Sequence, residues 1–365
     1  MALRRKPSTK RIAYRSFAAA AVIGLGVAAS VPAMAGTGPS MITDGNSVNI
    51  SVQGPNHSLK FYWAVNGTTT WHAETVAGGG STYSAPSMTT DGNDVNITAM
   101  GPNHKLKFYW AVNGSATWHA ETVAGGGSTY SAPSMITNGN SVNITAMGPN
   151  HKLKFYWAIN GTTTWHPETV AGGGSAYSAP SMMTVDNGVN IAVQGASHKL
   201  RFFWAVNGSA TWHPETVAGT GSTYSAPSMI PVGSDVNIAA MGPSHKLKFY
   251  WAAIGTTTWH PETIAGRGST YSAPSQVFDG TDVDITAAGA KNSLKFYWAV
   301  NGVAGWHPET VAGRGKTYSA PSQTVDDNDL NITAVGAKNS LKFYWAVDGT
   351  ATWHPETVAG SGRVR

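Results

Sequence analysis

Apolar and polar positions alternate along most of the chain, in short segments separated by turn residues. Between positions 94 and 100, for example, Val95, Ile97 and Ala99 alternate with more polar neighbours. A period of two residues predicts a β-strand, whereas no segment has the 3.6-residue period of an amphipathic helix. The pattern therefore predicts an all-β protein.

Four such segments follow one another in about 47 residues. In the second group they are TYSAPSMTT at 82–90, the alternating stretch 94–100, LKFYWAV at 106–112 and TWHAETVA at 117–124. Turn residues separate them, and the Asn-Gly pair after the third segment is a strong hairpin signal. We predict that each group folds into four antiparallel strands.

The group is an internal repeat with a constant period. The tryptophan that ends the Phe-Tyr-Trp (once Phe-Phe-Trp) segment returns every 47 residues, at Trp63, Trp110, Trp157, Trp204, Trp251, Trp298 and Trp345. A Trp-His pair follows eight residues after each one, and the two series account for all 14 tryptophans. Seven repeats fill residues 36–365, which leaves no room for a separate catalytic domain.

Seven four-stranded units of this period predict a closed seven-bladed β-propeller. Each sheet has apolar residues on both faces, and neighbouring blades would bury them. An open β-solenoid is the alternative, but it needs polar capping repeats. Residues 39–41 align with 86–88, and residues 363–365 align with 316–318. We therefore expect one strand to be joined from both chain ends, while the sequence leaves the innermost strand open.

The first 35 residues differ from the repeats. A basic stretch precedes an apolar, Ala- and Gly-rich run at 17–31, and the small residues Ala33-Met34-Ala35 follow. This order is typical of a secretory signal peptide, with cleavage expected after Ala35. A membrane anchor is the alternative, but the run is short for a bilayer, which needs about 20 apolar residues. We expect a secreted protein formed by residues 36–365, without stable membrane insertion.

Charge and cysteine content exclude several classes of function. The signal holds six of the 24 Lys and Arg residues and no acidic one, so residues 36–365 carry 18 basic and 19 acidic groups. This near-neutral balance lacks the basic surface that binds nucleic acid. The absence of cysteine excludes disulfides and Cys-ligated metals, and the Asp-Gly-Asn turns lack the remaining ligands of a calcium loop. We expect no metal site and no cofactor.

The Trp-His-x-Glu segment of each repeat offers the richest chemistry. In an extended strand His119 and Glu121 share one face, while Trp118 lies on the other. Carboxylate and imidazole groups bind hydroxyls, and an indole packs against the C–H groups of a sugar ring. The alternative is that Trp and His have structural roles between blades. The candidate ligand-binding residues are Trp71, His72, Glu74, Trp118, His119, Glu121, Trp165, His166, Glu168, Trp212, His213, Glu215, Trp259, His260, Glu262, Trp306, His307, Glu309, Trp353, His354 and Glu356.

The residues of each Phe-Tyr-Trp segment point to opposite faces of the strand, so their expected locations differ. Phe108 and Trp110 share a face with Leu106 and are expected in the core, whereas Tyr109 lies with Lys107 on the opposite face and is a candidate for lining a groove. Phe203 replaces this tyrosine in the fourth repeat. The turn histidine of the first five repeats, such as His104, is expected on the surface.

Enzyme signatures are absent from the sequence. No Gly-x-Ser-x-Gly elbow, phosphate loop or zinc helix motif occurs. The glutamates are seven copies of one position, whereas glycoside hydrolysis needs two neighbouring carboxyl groups in different roles. The repeated chemistry therefore favours binding over catalysis, and no catalytic residue is assigned.

The 47-residue period, the LKFYW core and the recurring WHPETVAG and YSAPS segments resemble the bacterial seven-bladed propeller lectins of the Photorhabdus type. The resemblance covers residues 36–365 and implies calcium-independent binding of fucose and related sugars, O-methylated ones included, between blades. It also implies that the Trp-His-x-Glu residues contact the sugar. Ala73 and Ala120 depart from the proline form of the motif, and Gly305 replaces the usual Thr before it.

We therefore predict a secreted, multivalent carbohydrate-binding protein that recognises glycans on cell surfaces. Assembly into a homo-oligomer is an open alternative to a single chain. One alternative is a non-catalytic propeller scaffold that binds proteins or other cell-surface components. Another is a hydrolase or lyase that uses the central channel of the ring.

Overall fold

A computed structural model describes residues 38–365 except 186, 304, 327 and 328. The predicted signal peptide at 1–35 lies outside the described residues. Within the described part of the chain, no helix is long and apolar enough to cross a membrane. In these described residues, the regular structure consists of β-strands and seven short 3-10 turns.

Every blade contains four strands, named here in chain order. Blades one and two contain β1 (Ser40–Asp44), β2 (Ser47–Gln53), β3 (Leu59–Val65), β4 (His72–Ala77), β5 (Ser87–Asp91), β6 (Asp94–Met100), β7 (Leu106–Val112) and β8 (His119–Ala124). Blades three and four contain β9 (Ser134–Asn138), β10 (Ser141–Met147), β11 (Leu153–Ile159), β12 (His166–Ala171), β13 (Ser181–Val185), β14 (Gly188–Gln194), β15 (Leu200–Val206) and β16 (His213–Ala218).

The same order continues to the end of the chain. Blades five to seven contain β17 (Ser228–Val232), β18 (Asp235–Met241), β19 (Leu247–Ala253), β20 (His260–Ala265), β21 (Ser275–Phe278), β22 (Asp282–Gly289), β23 (Ser293–Val300), β24 (His307–Ala312), β25 (Ser322–Asp326), β26 (Asp329–Gly336), β27 (Ser340–Val347) and β28 (His354–Ala359). The 3-10 turns, each between the second and third strands, are Pro55–His57, Pro102–His104, Pro149–His151, Ala196–His198, Pro243–His245, Ala290–Asn292 and Ala337–Asn339.

Each sheet pairs its four strands in sequence order, and all the pairings are antiparallel. In the second blade Ile97 lies opposite Tyr109, and Phe108 lies opposite Glu121. The first strands of neighbouring blades lie beside one another around the ring, and β1 lies beside β25. The first strand of each blade is therefore innermost, and the predicted seven-bladed propeller is confirmed.

A repeated hydrogen bond joins the innermost strands. The hydroxyl of Ser40 accepts a bond from the backbone N–H of Met88 at 3.1 Å, and equivalent serines do the same in the following blades. The hydroxyl of Ser322 accepts the N–H of Met41 at 3.1 Å, which joins the last blade to the first. Because the series has no open end, the ring is closed.

The chain ends complete a crossing segment between blades, not a strand. The Arg365 N–H donates to the Gln53 carbonyl at 2.9 Å, as the Tyr318 N–H does to Val335 at the preceding junction. The expectation of a strand joined from both ends is wrong. The first strand of the second blade begins at Ser87, and residues 82–86 cross between the blades before it.

The core lies in layers between the blades. Leu106 and Phe108 of the second blade pack against Met135, Ile144 and Tyr156 of the third. Strand alternation places successive residues on opposite faces, and in a propeller both faces meet a neighbouring blade. Burial of these apolar surfaces is the main stabilising contribution to the ring.

This packing corrects the sequence interpretation of the Phe-Tyr-Trp segment. Tyr109 is 3% exposed and packs against the first blade, so it lines no groove. Burial raises its pKa to about 12. Trp110 was expected in the core but is only half-buried, because it lies where the apolar layer opens to the surface. The expectation that the turn residue His104 is exposed is confirmed.

Candidate ligand-binding clefts

The fourth strand and the residue before it bring Trp, His and Glu to the junction between blades. Trp118 directly precedes β8, and His119 and Glu121 lie within that strand. His119 pairs with Trp110 and Glu121 pairs with Phe108 across the sheet. The alternation predicted from the sequence therefore places His119 and Glu121 on the same face.

The glutamates bridge the indoles of two neighbouring blades, as Glu168 illustrates. Glu168 Oε1 accepts a hydrogen bond from Trp157 Nε1 of its own blade at 3.0 Å. Glu168 Oε2 accepts one from Trp212 Nε1 of the next blade at 3.1 Å. The bond to the next blade forms at every junction, including Trp71 to Glu356 between the last and first blades. Charge-assisted bonds of this kind are stronger than neutral ones.

Two further aromatic contacts fix these indoles. Trp212 meets the edge of Phe155 with ring centroids 5.3 Å apart. His166 stacks on Trp157 with centroids 4.1 Å apart and the planes inclined by 20°. The His–Trp stack recurs in all seven blades. Both indoles are therefore held in defined orientations before any ligand arrives.

These groups surround an open cleft between neighbouring blades. The cleft between the third and fourth blades has a volume of about 360 Å³ and is lined by Phe155, Trp157, Glu168 and Trp212. Corresponding clefts occur between blades five and six, seven and one, and two and three, with volumes of about 280, 150 and 130 Å³. Apolar walls with a few polar groups are typical of small-molecule sites.

Two polar positions complete each cleft. The floor position lies on the second strand of one blade, and the hairpin position follows the third strand of the next blade; both line all four measured clefts. The floor residues are Asn49, Asn96, Asn143, Asn190, Asn237, Asp284 and Asn331. The matching hairpin residues of the following blades are Asn113, Asn160, Asn207, Ile254, Asn301, Asp348 and Asn66.

Several of these amides have polar atoms without a partner. Asn143 is 2% exposed, and its Nδ2 has no hydrogen bond. The Nδ2 of Asn49 is likewise unpaired, as are the Oδ1 atoms of Asn66 and Asn160. Buried polar atoms are normally paired. The clefts therefore offer both a donor and an acceptor to a bound ligand.

The cleft between the first and second blades has a hydrogen bond across its mouth. Asn113 Nδ2 donates to Asp44 Oδ2 at 2.6 Å. Burial raises the pKa of Asp44, and the bond from Asn113 opposes that rise. The bond is exposed and leaves Asn113 a second amide hydrogen, so a ligand hydroxyl can exchange with it.

The structure divides the predicted site residues into two groups. The tryptophans and glutamates of the Trp-His-x-Glu segments are half-buried at the junctions, and they line each of the four measured clefts. The histidines are exposed, stack on the other tryptophan of their blade and line none of these four clefts. Their contact with a ligand stays a prediction.

The sequence interpretation missed three cleft positions. Trp157 was assigned to the core, Asn143 was not considered, and Asn207 was interpreted only as part of a turn. The signal available was the return of an Asn at 47-residue intervals within a strand, in six of the seven repeats, although Asn is disfavoured in strands. Ala73 and Pro167 occupy the same position in their blades, opposite Tyr62 and Tyr156 in the sheet. Because this position directly precedes the glutamate in the strand, the replacement of Pro by Ala lies on the face opposite to the glutamate.

The arrangement suits recognition of hydroxyl groups better than acid–base chemistry. Both oxygens of Glu168 already accept an indole N–H, although each keeps a second lone pair for a ligand hydroxyl. Among the described residues, no group of three His, Asp or Glu side chains is placed to hold a metal ion.

Solved structures with a similar fold include several lectins. The lectin BP39L from Burkholderia pseudomallei superposes with a TM-score of 0.78 and 17% identity, over 86% of this chain and 96% of that protein. The SapL1 lectin, solved in complex with alpha methyl fucoside, has a TM-score of 0.54 and 9% identity, over 75% of this chain and 96% of its own.

The propeller of an enzyme is also similar. A structure from a study of two prolyl endopeptidases has a TM-score of 0.57 and 11% identity, over 89% of this chain and 50% of that protein. This chain thus spans about half of that enzyme. No protein-family model and no curated protein matches the sequence. At these identities the comparisons establish the fold: the chain is a seven-bladed β-propeller that is similar in structure to the bacterial lectin BP39L.

Proposed function

We propose that the protein is a non-catalytic lectin that binds single sugar residues in its inter-blade clefts, with fucose and its O-methylated relatives as the preferred class. The observation that carries the proposal is the unpaired Asn143 amide on the floor of a cleft walled by two indoles and a glutamate. A sugar ring has apolar C–H groups for the indoles and hydroxyls for the amide and carboxylate.

The lectin neighbours support the same class of ligand, since SapL1 was solved with a fucoside. Repetition of the cleft around the ring supports multivalent binding to a glycan surface. Linked sites raise avidity over a single site by roughly a hundredfold or more when geometry allows simultaneous contact. We also propose export after cleavage at Ala35, which N-terminal sequencing of protein recovered from the culture medium tests.

A scaffold for protein partners was the main alternative. It would be favoured if the Trp-His-x-Glu residues were wholly buried with every polar atom paired. Instead, Trp212 and Glu168 are half-buried beside an open cleft that contains unpaired amide atoms. This exposure favours a small polar ligand within the clefts.

The test is a glycan array followed by calorimetric titration with α-methyl fucoside. We expect binding of several sugars per chain. Trp212→Ala should remove one site and leave the affinity of the others unchanged, because Trp212 walls a single cleft.

The matched control is Tyr224→Ala, which removes an exposed aromatic ring outside the measured clefts and should leave the number of sites unchanged. An array without hits, together with no heat from any monosaccharide, would contradict the proposal.

A further inference from the structure

The seven clefts differ at their two polar positions. Five clefts have Asn at both the floor and hairpin positions, as Asn143 and Asn207 illustrate between the third and fourth blades. The cleft between the fourth and fifth blades has Ile254 at the hairpin position, and the one between the sixth and seventh has Asp at both. The ring is therefore sevenfold in its backbone but not in its chemistry.

In the cleft between the fourth and fifth blades, aliphatic side chains take the place of amides. Ile254 and Val185 pack against the same buried apolar cluster as the two indoles of this cleft, Trp204 and Trp259. The equivalent residues one blade earlier are Asn138 and Asn207, which both line the open cleft of about 360 Å³. An aliphatic side chain here has no hydrogen-bonding group and packs into the same apolar layer as both indoles.

In the cleft between the sixth and seventh blades, carboxylates take the place of both amides. Asp284 at the floor is fully buried, and Asp348 occupies the hairpin position. The bridge between the two indoles is retained, since Glu309 accepts hydrogen bonds from Trp298 and Trp353 at 3.0 and 3.1 Å. An asparagine both donates and accepts hydrogen bonds, whereas an ionised aspartate only accepts them. This cleft has the same walls but a different hydrogen-bonding pattern.

We infer that the ring holds five equivalent sugar sites and two divergent clefts, and that Ile254 and the Asp284–Asp348 pair determine the difference. The inference rests on the proposed sugar binding. A ligand hydroxyl that would hydrogen-bond to Asn207 in one cleft would face the aliphatic side chain of Ile254 in the next. Loss of a single neutral hydrogen bond weakens binding by roughly three- to tenfold. The apolar side chain of Ile254 adds to that loss, so the cleft between the fourth and fifth blades should bind sugar at least tenfold more weakly than the five clefts with two asparagines.

The test counts sites by calorimetric titration and native mass spectrometry, using whichever monosaccharide gives the largest heat with the wild-type protein. We expect five sites of one affinity in the wild-type chain. Ile254→Asn should create a sixth site, and the double variant Asp284→Asn with Asp348→Asn should separately create another. Both changes introduce residues that other blades already have at these positions, so the fold should be retained.

The matched reverse change is Asn207→Ile, which should reduce the count from five to four. Seven sites in the wild-type protein, or a count that Ile254→Asn and Asn207→Ile both leave unchanged, would overturn the inference while leaving sugar binding intact. An absence of sugar binding in every variant would overturn the proposed function and this inference together. Thermal unfolding of each variant verifies that a lost site is not a lost fold.

Discussion

The first five blades and the last two meet their neighbours through different side chains at the same position. The second residue of the innermost strand is Met in blades one to five, such as Met182, and Gln in blades six and seven. The backbone bond is common to both groups: the Met182 N–H donates to Ser134 at 3.2 Å and the Gln323 N–H donates to Ser275 at 3.1 Å. The comparison shows that the backbone-to-serine hydrogen bond holds the innermost strands of neighbouring blades together, whereas the side chain beside it can be either Met or Gln.

The buried Gln323 is tolerated because both ends of its amide have partners within reach. Gln323 Nε2 donates to the Asp284 carbonyl at 2.7 Å, and the Thr286 hydroxyl donates to Gln323 Oε1. At the equivalent place facing Met182, the Thr145 hydroxyl instead donates to the Lys154 carbonyl of its own blade at 2.9 Å. A rotating hydroxyl thus adapts to either neighbour.

Truncation of either side chain to alanine should have the largest effect and should distinguish the two kinds of interface. Met182→Ala should lower the free energy of unfolding by about 3 kcal/mol, because it leaves an apolar cavity that stays dry. Gln323→Ala should cost about half as much, since water can enter the space and bond the Asp284 carbonyl. Denaturant unfolding of the two variants measures this. An equal or greater loss for Gln323→Ala would show that the two interfaces are packed alike.

An intermediate effect tests whether the two kinds of interface respond alike to pH. Burial raises the pKa of Tyr109 to about 12 and also raises that of Tyr344. An unfolded tyrosine ionises near pH 10, so the folded state is increasingly disfavoured between pH 10 and 12. At pH 11 Tyr109→Phe should recover about 1 kcal/mol of stability relative to its effect at pH 8.

Tyr344 faces the interface that contains Gln323, and Tyr109 faces one with methionine. We expect Tyr344→Phe to give a gain of the same sign, measured by unfolding at both pH values. A pH-independent effect of both substitutions would mean that these rings are not shielded from water. Phe203, which replaces this tyrosine in the fourth blade, already lacks the titrating group.

The smallest effect is expected from exchange of the two side chains. Gln323→Met should change the free energy of unfolding by less than about 1 kcal/mol, because Thr286 can turn to the Lys295 carbonyl as Thr145 turns to Lys154. The reverse change Met182→Gln provides the control, since Thr145 can turn towards the new amide. A loss above about 2 kcal/mol in either variant would contradict the view that the position is replaceable.

The period of the sequence determines most of the fold, because a strict 47-residue spacing of Trp fixes the number of blades. The start of the first strand could not be predicted, because residues 82–86 look like strand residues but cross between blades. The sequence also could not predict that Tyr109 is buried while Trp110 is half-exposed. Both faces of the strand pack against neighbouring blades, and which end of the packed layer opens to solvent depends on how far the blades diverge. The recurrence of a strand asparagine was visible in the sequence, but the role of Asn143 follows from its burial and its unpaired amide nitrogen, which only the structure shows.

The hydrogen bond from each glutamate to the tryptophan of the next blade bears on how such a ring can arise by gene duplication. Every cleft takes its floor and glutamate from one repeat and its second tryptophan from the following one. A linear fragment of a few copies would have one complete cleft fewer than its number of repeats, and a lone copy would have none. Head-to-tail association of identical short chains would supply the missing halves, so a self-assembling ancestral peptide would already form complete clefts before its copies were fused.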